Sequence, residues 1–228
     1  MKLIVLDAGR SAPAISLDKR TPISMLKTSI DGHESMMHYF ESVTSDPRIG
    51  EVCYLGSDSV LSAMEEFPKI RYFYPNNSQG NLDTFQFALS NLIDDDVLVM
   101  YGDIIVDLDS LISKAFGSES SLVFFDSSWE SRYGMRIKQS LDSAEKIVVG
   151  DDSNLRFKTG AVFESVLGEF SGVFYIPKVF SRELRELSSQ LLLKKPTSTI
   201  IDLLNNWVNT YATKTIDLHG RWAEVHAN

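Results

Sequence analysis

A chain of 228 residues with a net charge of −9, 43% apolar and 23% charged residues has the composition of a soluble globular protein able to bury a sizeable core. The acidic balance, without any lysine- or arginine-rich block, argues against nucleic acid or an anionic membrane as the main partner. No apolar run approaches the ~20 residues of a membrane span, and the amino terminus lacks the layout of a signal peptide.

The lone cysteine, Cys53, sits in an apolar run and is expected as a reduced core residue of a cytoplasmic protein. An acidic protein that binds a polyphosphate must also supply local cations, and Mg²⁺ is the usual supplement.

In chain order, Lys2–Leu6 reads as a first strand. Asp7-Ala-Gly-Arg-Ser-Ala-Pro-Ala14 follows, with small residues at 8, 9, 11 and 12 that let backbone amides form an anion nest. A polar loop runs to about residue 28. Apolar spacing predicts a helix from Glu34 to Thr44, a strand at Glu51–Leu55, a helix capped by Ser57 or Asp58 and closed by Pro68, and a strand at Ile70–Tyr74. Asn81 is expected to be the N-cap of a helix carrying Leu82, Phe85, Leu89 and Leu92.

The run from Val97 to Tyr101 is too short and too rich in β-branched residues for a helix, so it reads as a strand buried on both faces. It ends in Gly102-Asp103, which leaves a carboxylate where ligands bind in open α/β sheets. Asp107 and Asp109 follow, with a short helix at 110–115. A carboxylate after a buried strand can either cap that helix or hold Mg²⁺ against a triphosphate.

The second half changes character. Strands are expected at 121–126, 135–138, 144–149, 155–158, 170–176, 213–218 and 220–226, with helices at 177–190 and 198–209. One mixed α/β domain is expected over 1–228, with strands and helices alternating through the first ~110 residues in the manner of a parallel sheet covered on both faces. Right-handed crossovers would bring the loop at 9–13, the turn before Asn81, and Asp103 to one cleft.

Taken together, these pieces resemble the nucleotidyltransferases that join an NTP to a phosphorylated sugar, choline or similar small molecule, and most of all the phosphocholine-type cytidylyltransferases. The resemblance implies a Rossmann-like fold of the GT-A type, with a mostly parallel central sheet, a nucleotide-binding half at 1–118 and an acceptor-binding half at 119–228. It implies nucleotide contacts from Leu6, Ala8, Gly9, Arg10, Ser11, Asn76, Asn81 and Gly102, and a Mg²⁺ site made by Asp103 of Tyr101-Gly-Asp and Glu224 of Trp222-Ala-Glu-Val. Acceptor contacts would come from Glu169 and Gly172 of Gly168-Glu-Phe-Ser-Gly and from Trp129 and Tyr133; an acid beside an aromatic suits a cationic amine.

Where such enzymes carry a loop arginine and a Pro-Lys lysine, this chain has Pro13 and Ile23; the resemblance then implies Arg10, Lys19 and Arg20, which lie nearby, as the substitute catalytic cations. The implied reaction joins an NTP, CTP favoured, to a phosphocholine-like, phosphonate or sugar-phosphate acceptor with release of pyrophosphate, in decoration of cell-surface polysaccharide or lipid. The implied assembly is a monomer or simple homodimer. Two alternatives stay open. One is an inactive homologue that binds nucleotide or protein, and the other is a glycosyltransferase of the same fold, which would want an Asp-x-Asp motif that Gly102-Asp103-Ile-Ile lacks.

Overall fold

The computed structural model describes residues 1–7, 27–30, 33–56, 65–75, 78, 80–92, 95–132, 144–150, 152–160 and 165–224. The first half supplies β1 (Lys2–Leu6), a ribbon of β2 (Lys27–Ile30) and β3 (His33–Ser35), α1 (Met36–Ser42), β4 (Glu51–Leu55), β5 (Ile70–Phe73), α2 (Asn81–Asn91) and β6 (Val97–Tyr101). The chain continues through β7 (Ile104–Val106), α3 (Leu108–Ala115), β8 (Ser121–Asp126), α4 (Trp129–Arg132), β9 (Lys146–Val149), β10 (Leu155–Lys158) and β11 (Ser165–Ile176). It closes with α5 (Ser181–Lys194), α6 (Ile200–Trp207), β12 (Thr213–Asp217) and β13 (Trp222–Glu224).

Among the described residues, nine strands share one mixed sheet. Its path runs β10-β9-β11-β6-β1-β4-β5, with β8 on β11 and β12 on β8. Strands β6, β1, β4 and β5 are parallel, and β11 runs against β6, β8 and β9. Side chains in a strand alternate between faces, so each central strand feeds two cores. Leu3 and Val5 join Met36, Met37, Phe40, Leu111 and Ile112 on the face covered by α1 and α3. Ile4 and Leu6 join Phe85, Leu89, Leu184, Leu203 and Trp207 on the face covered by α2, α5 and α6. A shift of one residue in any of these strands would exchange the two sets, which is why the register is firmly specified.

Several boundaries differ from the expectation. Helix α1 starts at Met36 rather than Glu34, because His33–Ser35 pairs with β2 instead. Helix α3 starts at Leu108, capped by the Asp107 carboxylate, which accepts from Ser110 N. Pro177 keeps an extended ψ, a short 3₁₀ turn follows, and α5 begins at Ser181. Helix α6 begins at Ile200 because Thr199 and Asp202 form a reciprocal capping box that leaves Ser198 outside. The expected helix after Ser57 and strand at 135–138 fall largely or wholly outside the described residues. Among those described, no helix is long and apolar enough to cross a membrane.

Two groups here have chemistry that the fold sets. Burial pushes the Cys53 thiol up to about 12, with nearby Glu51 adding to the effect. Cys53 is therefore expected to resist alkylation by iodoacetamide in the native protein and to react on unfolding in urea, which mass spectrometry reads directly. The Arg48 guanidinium, hydrogen-bonded to Asp46 at 2.9 Å and 2.5 Å, holds that carboxyl at about 2 rather than 3.8. A depressed folded-state pKa stabilises above the unfolded value and is lost as pH falls through the folded one. The stability difference between wild type and Arg48→Leu should accordingly shrink as pH is lowered from 3.8 to about 2, as followed by urea melts.

Candidate active site

The order of the parallel strands determines where a ligand can sit. From β1 the chain steps outward to β4 and β5, then returns to β6 on the other side of β1. At such a reversal the loops leave in opposite directions and open a crevice at the carboxyl ends of the strands. Here that crevice lies over Leu6-Asp7 and Tyr101-Gly102-Asp103. The two ends remain hydrogen-bonded, since Gly102 N donates to Leu6 O at 3.0 Å, while Asp7 N ties the end of β1 to β4 by donating to Leu55 O at 2.8 Å.

Gly102 is needed for this approach: a β-carbon there would lie 2.7 Å from Asp7 Cβ and 2.9 Å from its Cγ. The Tyr54 hydroxyl donates to the Asp7 carboxylate from beneath. Asp7 thus stands beside Gly102-Asp103 at the crevice, a placement that sequence reasoning missed because a single acid after a strand has no distinguishing spacing.

Asp103 is partly exposed at the turn, and the chain beyond it is held from two sides. Strand β7 pairs with β13, setting Trp222 opposite Val106, Ala223 opposite Ile105 and Glu224 opposite Ile104. From α1 the Tyr39 hydroxyl accepts from Val106 N at 3.0 Å and donates to Val106 O. The backbone of Glu224 therefore lies one register step from Asp103. The helix-capping role open to a carboxylate in this region belongs to Asp107. Ala8, Gly9, Arg10, Ser11, Lys19, Arg20, Asn76 and Tyr133 lie outside the described residues.

Asn81 is not the N-cap of α2. That position is Gly80, and Asn81 is the first helical residue. Its side chain is engaged elsewhere, Oδ1 accepting from Ile200 N at 3.1 Å and Nδ2 donating to the Tyr101 hydroxyl at 3.3 Å. The Tyr101 hydroxyl in turn donates to Glu145 Oε2 at 3.4 Å. One polar line thus joins the starts of α2 and α6, the end of β6 and the approach to β9. Glu145 is another residue that no sequence pattern marked.

Strand β11 forms the other wall. Because β8 occupies one of its edges between Glu169 and Tyr175, β6 and β9 share the opposite edge, one after the other. The space where β6 leaves and β9 arrives lies next to Gly172, whose φ is +70° and whose β-carbon would come 2.8 Å from Tyr101 Cδ2. Glu169 is 3% exposed, opposite Asp126 on one side and Lys146 on the other. Lys146 Nζ donates to Ala144 O and Gly160 O, both at 3.1 Å, and lies 5.5 Å from the centre of the Trp129 ring. Trp129 itself is buried and opens α4.

A separate cavity of about 280 Å³, lined by Thr44, Ile49, Gly50, Glu51, Val52 and Lys69, opens at the opposite, amino-terminal end of β4. Glu51 there is already paired with Lys2 at 3.3 Å and Arg71 at 3.0 Å.

Among the described residues, no three His, Cys, Asp or Glu side chains gather as a complete metal cage. A donor set of one or two carboxylates fits Mg²⁺, which keeps waters and takes its remaining ligands from substrate phosphates. The cramped left-handed position of Gly172 gives a direct test. Gly172→Ala should cost about 1–3 kcal/mol in a denaturant melt, because strain and a collision with Tyr101 combine. Gly160→Ala, also left-handed at φ +84° but with open space around it, should lose only the conformational strain, about 1–2 kcal/mol, and less than Gly172→Ala.

No family model and no curated protein matches the sequence. Solved structures do. The inositol-1-phosphate CTP transferase from T. maritima aligns over 99% of this chain and 89% of its own, with a TM-score of 0.66 and 16% identity. The CTP:phosphocholine cytidylyltransferase from Streptococcus pneumoniae aligns over 98% and 92%, with a TM-score of 0.68 and 12% identity. The UDP-glucose pyrophosphorylase from Acinetobacter baumanii aligns over 98% and 88%, with a TM-score of 0.67 and 14% identity. The chain folds as these nucleotidyltransferases do.

Proposed function

We propose that the protein is a nucleotidyltransferase that joins an NTP to a phosphorylated small molecule and releases pyrophosphate. The observation that carries this reading is Asp103 at the strand-order reversal, one register step from Glu224, within a fold shared with such enzymes. CTP is the favoured nucleotide and a phosphocholine-like, phosphonate or sugar-phosphate group the favoured acceptor. Two of the similar structures are, by name, CTP-using enzymes, which supports that choice.

In this reading residues 1–118 bind the nucleotide and 119–228 the acceptor. An acceptor phosphate oxygen attacks the α-phosphorus, the bond from that phosphorus to the bridging oxygen breaks, and the electron pair leaves with pyrophosphate. The protein does little covalent chemistry in such a transfer; positioning and charge neutralisation carry it. Backbone amides of Ala8–Ser11 cradle the triphosphate, and Arg10, Lys19 or Arg20 offsets the charge on the leaving group. Asp103 and Glu224 hold Mg²⁺, which when bound supplies charge stabilisation at the phosphates. Glu169, Gly172, Trp129 and Tyr133 form the acceptor side, with the space between β6 and β9 as its opening.

The exchange of the loop arginine and lysine for Pro13 and Ile23 favours a second reading, a homologue that binds nucleotide without turnover. An assay of pyrophosphate release with Mg²⁺, four NTPs, and phosphocholine, phosphoethanolamine, simple phosphonates and sugar 1-phosphates separates the two. Turnover with one pair establishes the transferase. Silence across the panel, with an NTP-induced rise in melting temperature, supports the binding homologue. Asp103→Asn, a partly exposed turn residue, should keep the wild-type melting temperature and lower pyrophosphate release by about a hundredfold or more. Unchanged turnover would remove Asp103 from the site.

A further inference from the structure

Among the described residues, strand β13 is three residues long and pairs only with β7, itself three residues long. A two-stranded ribbon of that size does not hold its place alone, so something else must locate the backbone that brings Glu224 beside Ile104. On the β7 side the Tyr39 hydroxyl serves. On the β13 side the fully buried carboxylate of Asp126, the last residue of β8, accepts from Gly220 N at 2.8 Å and Ser128 N at 2.9 Å through Oδ1, and from the Trp222 indole N–H at 3.2 Å through Oδ2. Trp222 packs in the core with Val106 and Leu108, opposite Val106 in the ladder.

The neighbouring parallel strand β12 ends in a reciprocal brace: Asp217 Oδ1 accepts from Ser127 N at 3.1 Å and His219 N at 2.8 Å. The two aspartates thus tie each other's turns together. Asp126 alone of the pair also grips the indole that leads into β13.

Resting on the reading that Asp103 and Glu224 hold Mg²⁺, we propose that Asp126 is the positioning residue of that site, acting through Trp222 to fix the closing strand against β7. The chemistry is specific to a carboxylate, which among the described residues presents acceptors on both oxygens to three N–H donors. In Asp126→Asn one oxygen becomes an amide NH₂. With the remaining oxygen on the two backbone amides, that NH₂ faces the indole N–H, donor against donor, and one buried donor is left without its partner. Trp222→Phe removes the same hydrogen bond while keeping an aromatic ring in the core.

The test compares wild type, Asp126→Asn, Trp222→Phe and Asp217→Ala by the rise in melting temperature that MgCl₂ adds to CTP, and by the Mg²⁺ dependence of pyrophosphate release. Both variants of the Asp126–Trp222 pair should need about tenfold more MgCl₂ for half of that added rise. Their apparent KM for Mg²⁺ should move by the same factor, with kcat changed much less. Asp217→Ala should melt lower with an unchanged Mg²⁺ midpoint, because it removes the acceptor of both turn amides without touching Trp222. If Asp126→Asn fails to fold, Trp222→Phe carries the comparison. Wild-type Mg²⁺ midpoints in the folded variants of the pair would overturn the positioning role and leave the metal reading intact. A wild type in which MgCl₂ adds nothing to CTP would overturn the metal reading, and the positioning role with it.

Discussion

The pairing of β1 with β6 at their carboxyl ends is the contact on which the rest of the molecule depends. It is held by the Gly102 N–H on the Leu6 carbonyl, at the one place where the absence of a side chain lets the two strands finish side by side against Asp7. Outward from β1 the sheet grows through β4 and β5. Beyond β6 it turns antiparallel at β11. Because both faces of β1 and β6 are covered, their register cannot slip without moving apolar groups into the wrong core, so a rigid scaffold aims the two strand ends. The chemistry-bearing chain then leaves that scaffold in a short exposed turn, where a partly exposed carboxylate is affordable.

Strand β11 performs a different task. A single twelve-residue strand carries β6 along one part of an edge and β9 along the rest, with register shifts that bend it between Val166 and Gly168 and between Phe170 and Phe174. The bend separates the end of β6 from the start of β9 and leaves room between them. Tyr101 fills one side of that room, locked by Asn81, Glu145 and the bare backbone of Gly172. The wall is stiff because its polar groups are bonded to one another across four separate segments.

The strands were legible where the apolar run itself defines the element. Lys2–Leu6, Glu51–Leu55, Val97–Tyr101, Ser121–Asp126 and Leu155–Lys158 carry their ends in their composition. Helix starts were less legible, since they depend on competition between partners: β2 captures His33–Ser35 ahead of α1, and the Thr199–Asp202 pair sets the start of α6. Strand β7 escaped notice because three residues after a turn have no periodicity, and its partner β13 lies at the far end of the chain. Asp103 stood out by its place after a buried strand. Asp7, Glu145 and Asp126 did not, because their significance arises only from contacts between distant segments.

The mixed sheet also has consequences for how the molecule meets its own copies. Among the described residues, β5, β10 and β12 are its terminal strands, each paired on one side only. Open strand edges invite docking of another chain, and cations along them discourage it. Each of the three carries such a charge: Arg71 on β5, Arg156 and Lys158 on β10, and Lys214 on β12. Arg71 is further restrained, lying 4.7 Å over the Phe73 ring while bonded to Glu51. Edge-to-edge stacking into fibrous aggregates would require bringing these cations against a second strand, so the sheet that aims the site also limits its own self-association.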